Sequence, residues 1–136
     1  AAITEMRQAL EPIAATRAAR NITPELREEF AATIAELGEL RAGLDARTLI
    51  ERDLEVHRLI YRAVDNIHLQ ETLVRLDDLA TRIWCLVLPK IPDLLGHIRE
   101  HISLLEGILA GDELAVSALA GEHVREFEAT VRKALA

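Results

Sequence analysis

At 136 residues, half of them apolar, the chain has the length for one domain with a single good core. Its net charge of −7 speaks against this chain alone holding a phosphate backbone. No apolar run approaches the roughly 20 residues of a membrane span, the opening Ala1-Ala2-Ile3-Thr4-Glu5 has no signal-peptide pattern, and the lone Cys85 excludes an internal disulfide, which suits a reducing cytoplasm.

Apolar periodicity and capping residues predict six helical segments. The first runs from about Ile3 to Arg20 with Met6, Leu10, Ile13 and Ala14 inward, and Pro12, lacking an N–H, is expected to kink it. Thr23-Pro24-Glu25 supplies an N-cap and a first-turn proline for a second helix through Leu26, Phe30, Ile34, Leu37 and Leu40, ending near Gly43. Asp45 caps the third helix, and Asp65-Asn66 closes it, with Asn66 expected in the left-handed turn.

The fourth helix spans about His68 to Leu88 with Leu69, Leu73, Leu76, Ala80, Ile83 and Val87 inward, before Pro89 and Pro92 break the chain. The fifth runs from about Asp93 to Ala110, Gly111-Asp112 is a stop and a fresh N-cap, and the sixth carries Val116, Leu119, Ala120, Val124, Phe127 and Val131. With aromatics at only 3%, the core is mostly aliphatic. These elements predict an all-α antiparallel bundle of six or seven helices.

The third helix organises the rest. Leu49, Ile50, Leu54, Val56, Ile60, Tyr61 and Val64 form its apolar stripe, and Asp53 and His57 fall in the middle of that stripe, one turn apart. Polar groups aimed at a core are costly unless something satisfies them. His101 lies within the stripe of the fifth helix and His123 within that of the sixth, whereas His97 is peripheral and His68 opens a helix. One such histidine is ordinarily a core residue bonded to a carbonyl. Three of them with an inward Asp each need a buried partner, and one shared ion serves all four.

A His₃Asp set suits Zn, Ni, Mn, Fe or Co, and an octahedral ion in it keeps two positions open for water or a chelating molecule. His97 and His101 make a rival pair at the same four-residue spacing. The fifth helix lacks the glutamate of a metalloprotease H-E-x-x-H motif, and no inward Glu-x-x-His pair marks a di-iron bundle. Both absences weigh against a metal-dependent hydrolase, which stays an alternative together with a plain dimerisation bundle whose histidines are structural.

Asp53-x-x-x-His57, Asn66 followed by Leu69, Glu100-His101 with Ile108 and Gly111-Asp112 beyond, then Ala118 and His123, resemble the FCD domain. This is the C-terminal effector-binding domain of FadR-subgroup GntR transcription regulators. Glu5-x-Arg7-x-x-Leu10-Glu11 and Ala14-Ala15 are similar to that domain's first helix, so the resemblance covers nearly the whole chain. It implies a helical bundle with a central divalent metal held by Asp53, His57, His101 and His123, and a small organic acid effector bound at or beside it. It also implies a homodimer that reaches DNA through a separate N-terminal winged helix-turn-helix domain, absent from this sequence.

Val56 stands where the family usually has Phe, a difference of packing. Arg17 takes a commonly apolar position, from which it either snorkels to the helix edge or enters the pocket. Arg7, at the family's arginine position, is the foremost effector-binding candidate, because a guanidinium fork matches a carboxylate; its ordinary role is a surface pair with Glu11. Asn66 and Arg82 are further effector candidates, and Trp84 and Cys85 line a pocket, line a dimer surface or fill the core.

Overall fold

Short polar caps, prolines and one left-handed glycine divide the sequence into helices at the expected places. The computed structural model describes residues 2–136. Among these it contains α1 (Ala2–Asn21), α2 (Pro24–Glu39), α3 (Ala46–Arg62), α4 (Ile67–Val87), α5 (Leu94–Arg99), α6 (His101–Ala110) and α7 (Glu113–Leu135), with a 3₁₀ turn at Leu88–Lys90 and no strand. Thr23, Asp45 and Asp112 each accept a backbone N–H with the side chain, from Leu26 at 3.3 Å, Thr48 at 2.8 Å and Ala115 at 3.1 Å. Gly111 ends α6 at φ 71°, a conformation that costs glycine nothing and other residues a Cβ clash.

Four local expectations are corrected. The left-handed residue between α3 and α4 is Asp65, at φ 56°, and not Asn66. Asn66 is extended at φ −157° and caps α4, its side-chain oxygen accepting from Leu69 N at 3.0 Å. The fifth helical segment is two helices, because the chain turns at Glu100 between α5 and α6. α2 stops at Glu39, leaving Gly43 in the following loop at φ 103°. In α1, Met6 and Ile13 are 47% and 49% exposed, while Thr4, Arg7, Glu11, Ala14, Ala15, Ala18 and Ala19 are buried. The alanine face explains this: small side chains let α1 lie closely along α7, its most extensive neighbour, and that contact sets the helix's rotation. α1 runs through Pro12 as one helix.

The apolar interior falls into two clusters. The larger gathers Phe30, Leu37, Leu59, Tyr61, Leu73, Ile98, Leu105, Ile108 and Val116 with the α1 alanines. The smaller is built on Ile50, Trp84, Val87 and Val131, with Phe127 and Ile83 packed against it. Between them runs a layer of polar side chains: Asp53 and His57 follow Ile50 on α3, Asp77 lies between Leu73 and Trp84 on α4, and His123 between Ala120 and Phe127 on α7.

Candidate metal and effector site

The one-turn spacing of Asp53 and His57 on α3 brings the His57 Nε2 within 3.7 Å of Asp53 Oδ1. The first residue of α6 places His101 Nε2 at 3.6 Å from the same oxygen and 3.2 Å from His57 Nε2. α7 adds His123, whose ring centre lies 4.3 Å from that of His101 and 5.7 Å from that of His57. One ring nitrogen from each histidine falls within a 4.8 Å span. Bonds of about 2.0–2.2 Å to a common ion place neighbouring donors about 2.9–3.6 Å apart; the Asp53, His57 and His101 atoms stand close to that spacing, the 4.8 Å span of the three histidines is wider, and by chemistry the three imidazoles could hold a cation.

The protons are placed by neighbouring groups. His101 donates from Nδ1 to the carbonyl oxygen of Ile98 at 2.9 Å, which leaves its Nε2 lone pair turned toward His57. In the metal-free chain His57 therefore donates to it. Burial disfavours the charged form of His57, but Asp77 and Asp53 outweigh it and raise its pKa to about 9. Burial pushes His101 down to about 4, and burial together with the two other rings pushes His123 well below its ordinary value. Asp53 feels burial in the opposite sense, yet the histidines hold it below the usual carboxylate range. The site thus keeps one carboxylate ionised and two imidazoles neutral, the forms in which these groups ligate metals.

A second polar group of residues adjoins the first. Arg7 is 2% exposed, its Nε 3.6 Å from Glu11 Oε1 and its guanidinium carbon 5.2 Å from the centre of the Phe127 ring. Glu11 accepts a 2.6 Å hydrogen bond from the buried Tyr61 hydroxyl. The Arg7 charge survives burial because Glu11, and behind it Tyr61, Asp77 and Asp53, favour it. Asp77, also 2% exposed, is pushed up to about 6 by burial, against the opposing pull of His57. Arg7, Asp53, His57, Asp77 and His123 line one narrow cleft, partly open to solvent, whose remaining walls are Ala80, Thr81, Trp84, His97 and Phe127.

Of the residues singled out in sequence, Asp53, His57, His101 and His123 come together, and Arg7 stands on the cleft beside them. Asn66 and Arg82 are exposed and outside the cleft wall. Arg17 does not line the cleft: half-buried, it reaches the edge of α1 and donates to the carbonyl oxygens of Val64 and Asp65 in the α3–α4 turn at 2.9 and 2.8 Å. His97 stands edge-on to Trp84 at 5.6 Å on the cleft wall, and Cys85 is exposed. Asp77, Glu11 and Tyr61 were missed. Asp77 carries the signal that singled out Asp53, a carboxylate on an apolar stripe, between Leu73 and Ala80.

Among known families, the chain matches the model of the FCD domain over residues 2–126, nearly its full length. No curated protein and no solved structure matches it.

Proposed function

From the premise that the chain belongs to the FCD-domain family, the C-terminal ligand-sensing domains of GntR-family regulators, we propose that it senses a small carboxylate through a divalent metal centre. Asp53, His57, His101 and His123 are the residues that hold the ion in this reading. The observation that carries it is the convergence of these four side chains from α3, α6 and α7 inside an apolar bundle, with the Asp53, His57 and His101 atoms 3.2–3.7 Å apart and the three histidine nitrogens within 4.8 Å of one another. The ion supplies positive charge and open coordination positions.

The chain's own residues do the rest. His101 is oriented by the Ile98 carbonyl and presents its lone pair, while His57 gives up its proton on loading. Arg7 offers a buried guanidinium to the carboxylate, held in place by Glu11 and thereby by Tyr61. Trp84, Phe127 and Ala80 give the cleft an apolar wall that favours an acid with a short chain. The acid influences DNA binding by a separate winged-helix domain only through a difference in its affinity for two arrangements of the protein.

The test is loading of chelator-stripped protein with zinc or manganese, followed by elemental analysis and thermal unfolding. The wild-type chain is expected to bind one ion and melt higher, and a small carboxylate is expected to raise the melting temperature further only when metal is bound. The double variant His101→Ala, His123→Ala loses both effects. Unchanged metal content in that variant refutes the reading.

A further inference from the structure

Two buried side-chain atoms among the described residues have no hydrogen-bond partner: Arg7 Nε and Asp77 Oδ2. One is a donor and the other an acceptor. They come from α1 and α4 and belong to residues lining the same cleft, next to Asp53, His57 and His123. Buried polar groups are nearly always paired, and an unpaired one in a native protein calls for an explanation. Packing does not demand an Asp at position 77, whose helical neighbours on that face are Leu73 and Ala80.

A simple carboxylic acid satisfies Arg7 alone. It brings a second negative charge near Asp77 and leaves the buried Asp77 oxygen unpaired. An acid that also carries a hydroxyl or ammonium group satisfies both atoms with one molecule. We infer that the acid sensed at this site bears a hydrogen-bond donor beside its carboxylate, as hydroxy and amino acids do, and that Asp77 is the residue that selects for it. The inference rests on the carboxylate reading above and narrows it to a chemical class.

A site built to pair a ligand's donor rejects the analogue that lacks it far more strongly than an apolar pocket rejects an extra group. Asp77 accepts as an anion at neutral pH, and a hydrogen bond to a charged group is roughly twice as strong as one between neutral groups. A preference of about 10-fold or more is expected. A rival role for Asp77, as a plain counter-charge to Arg7 and His57, changes the affinity for every acid alike and creates no preference within a matched set.

Calorimetric titration of zinc-loaded protein with two matched sets separates these cases: propionate, lactate and alanine, and succinate, malate and aspartate. In at least one set the hydroxyl or ammonium member is expected to bind about 10-fold or more tighter than its parent acid. In Asp77→Ala the preference is expected to fall to within about threefold, because no acceptor remains. In the near-isosteric Asp77→Asn it shrinks partway, and this variant decides the matter if Asp77→Ala does not fold. Zinc stoichiometry stays at the wild-type value in both.

Equal binding within both sets overturns the inference, and so does a preference that survives in the variants, since hydroxy and amino acids also chelate the ion itself. Either result leaves the carboxylate reading standing. If none of the six acids binds zinc-loaded wild-type protein, that reading falls and the role of Asp77 falls with it.

Discussion

Tyr61→Phe isolates the contact that holds Arg7 in place. The Tyr61 ring is fully buried on α3, and its hydroxyl donates to Glu11 Oε1 at 2.6 Å. Phenylalanine keeps the ring and removes one oxygen, so the loss is that hydrogen bond with little change in packing. Glu11 is 7% exposed and its other close partner, Arg7 Nε, lies at 3.6 Å, so its carboxylate is left under-bonded. Losing a buried hydrogen bond to a charged group costs about 1.5–3 kcal/mol. An unfolding entropy of about 2.1 cal/mol/K per residue makes each kcal/mol worth about 3.5 °C for a chain this long. Thermal unfolding followed by circular dichroism is therefore expected to fall by about 5–10 °C, at unchanged metal content. A drop below about 2 °C refutes the idea that this bond carries α1 against α3.

The remaining predictions concern protons, caps and turns. In the metal-free chain His57 has a pKa raised to about 9, so its contribution to stability is complete below the unfolded value near 6.5 and is lost as pH rises through 9. His101, lowered to about 4, contributes above that same value and loses its contribution as pH falls through 4. Melting temperature of stripped protein should therefore decline between pH 7 and 9 (a range set by these pKa values), and metal loading, which replaces the His57 proton, should flatten the decline. Metal affinity measured by competition with a chelator should weaken as pH falls, because the proton competes for His57. Asn66→Ala removes the α4 cap and is expected to cost about 1 kcal/mol while leaving metal and acid binding unchanged in calorimetry; Arg82→Ala should change neither, and weakened acid binding in either variant would restore that residue as an effector contact. Gly111→Ala meets no neighbour within 4 Å, so its expected cost of about 1–2 kcal/mol in denaturant unfolding is purely that of the left-handed backbone.

The sequence carried the helices because the apolar spacing and the caps agree: Thr23, Asp45 and Asp112 each start a helix where the stripe begins. It also carried the convergence of Asp53, His57, His101 and His123, since a polar residue centred on an apolar stripe is unusual enough to notice. α1 was less legible. Its buried face is alanines with Thr4, Arg7 and Glu11, so hydrophobicity pointed at Met6 and Ile13 when close approach to α7 decided the rotation. The same blindness hid the Arg7–Glu11–Tyr61 chain, because an i, i+4 Arg–Glu pair reads as a solvated one until tertiary packing covers it. Asp65 and not Asn66 takes the left-handed position; both residue types tolerate left-handed backbone and both cap helices, and only the path of the chain between α3 and α4 distinguishes them.

Hydrophobic cohesion grows with the apolar area removed from water, and the division of the interior into two clusters distributes that cohesion unevenly. The end of the bundle resting on Ile50, Trp84, Val87 and Val131 has few buried apolar residues of its own, and what joins it to the larger body includes a layer of histidines and carboxylates. Regions with little apolar burial open at lower free energy than the rest of a fold. The cleft in that layer is walled by Trp84 and Phe127 of the smaller cluster, so a molecule seated there would act as a rivet on that end, setting how stiffly it moves as well as where it sits.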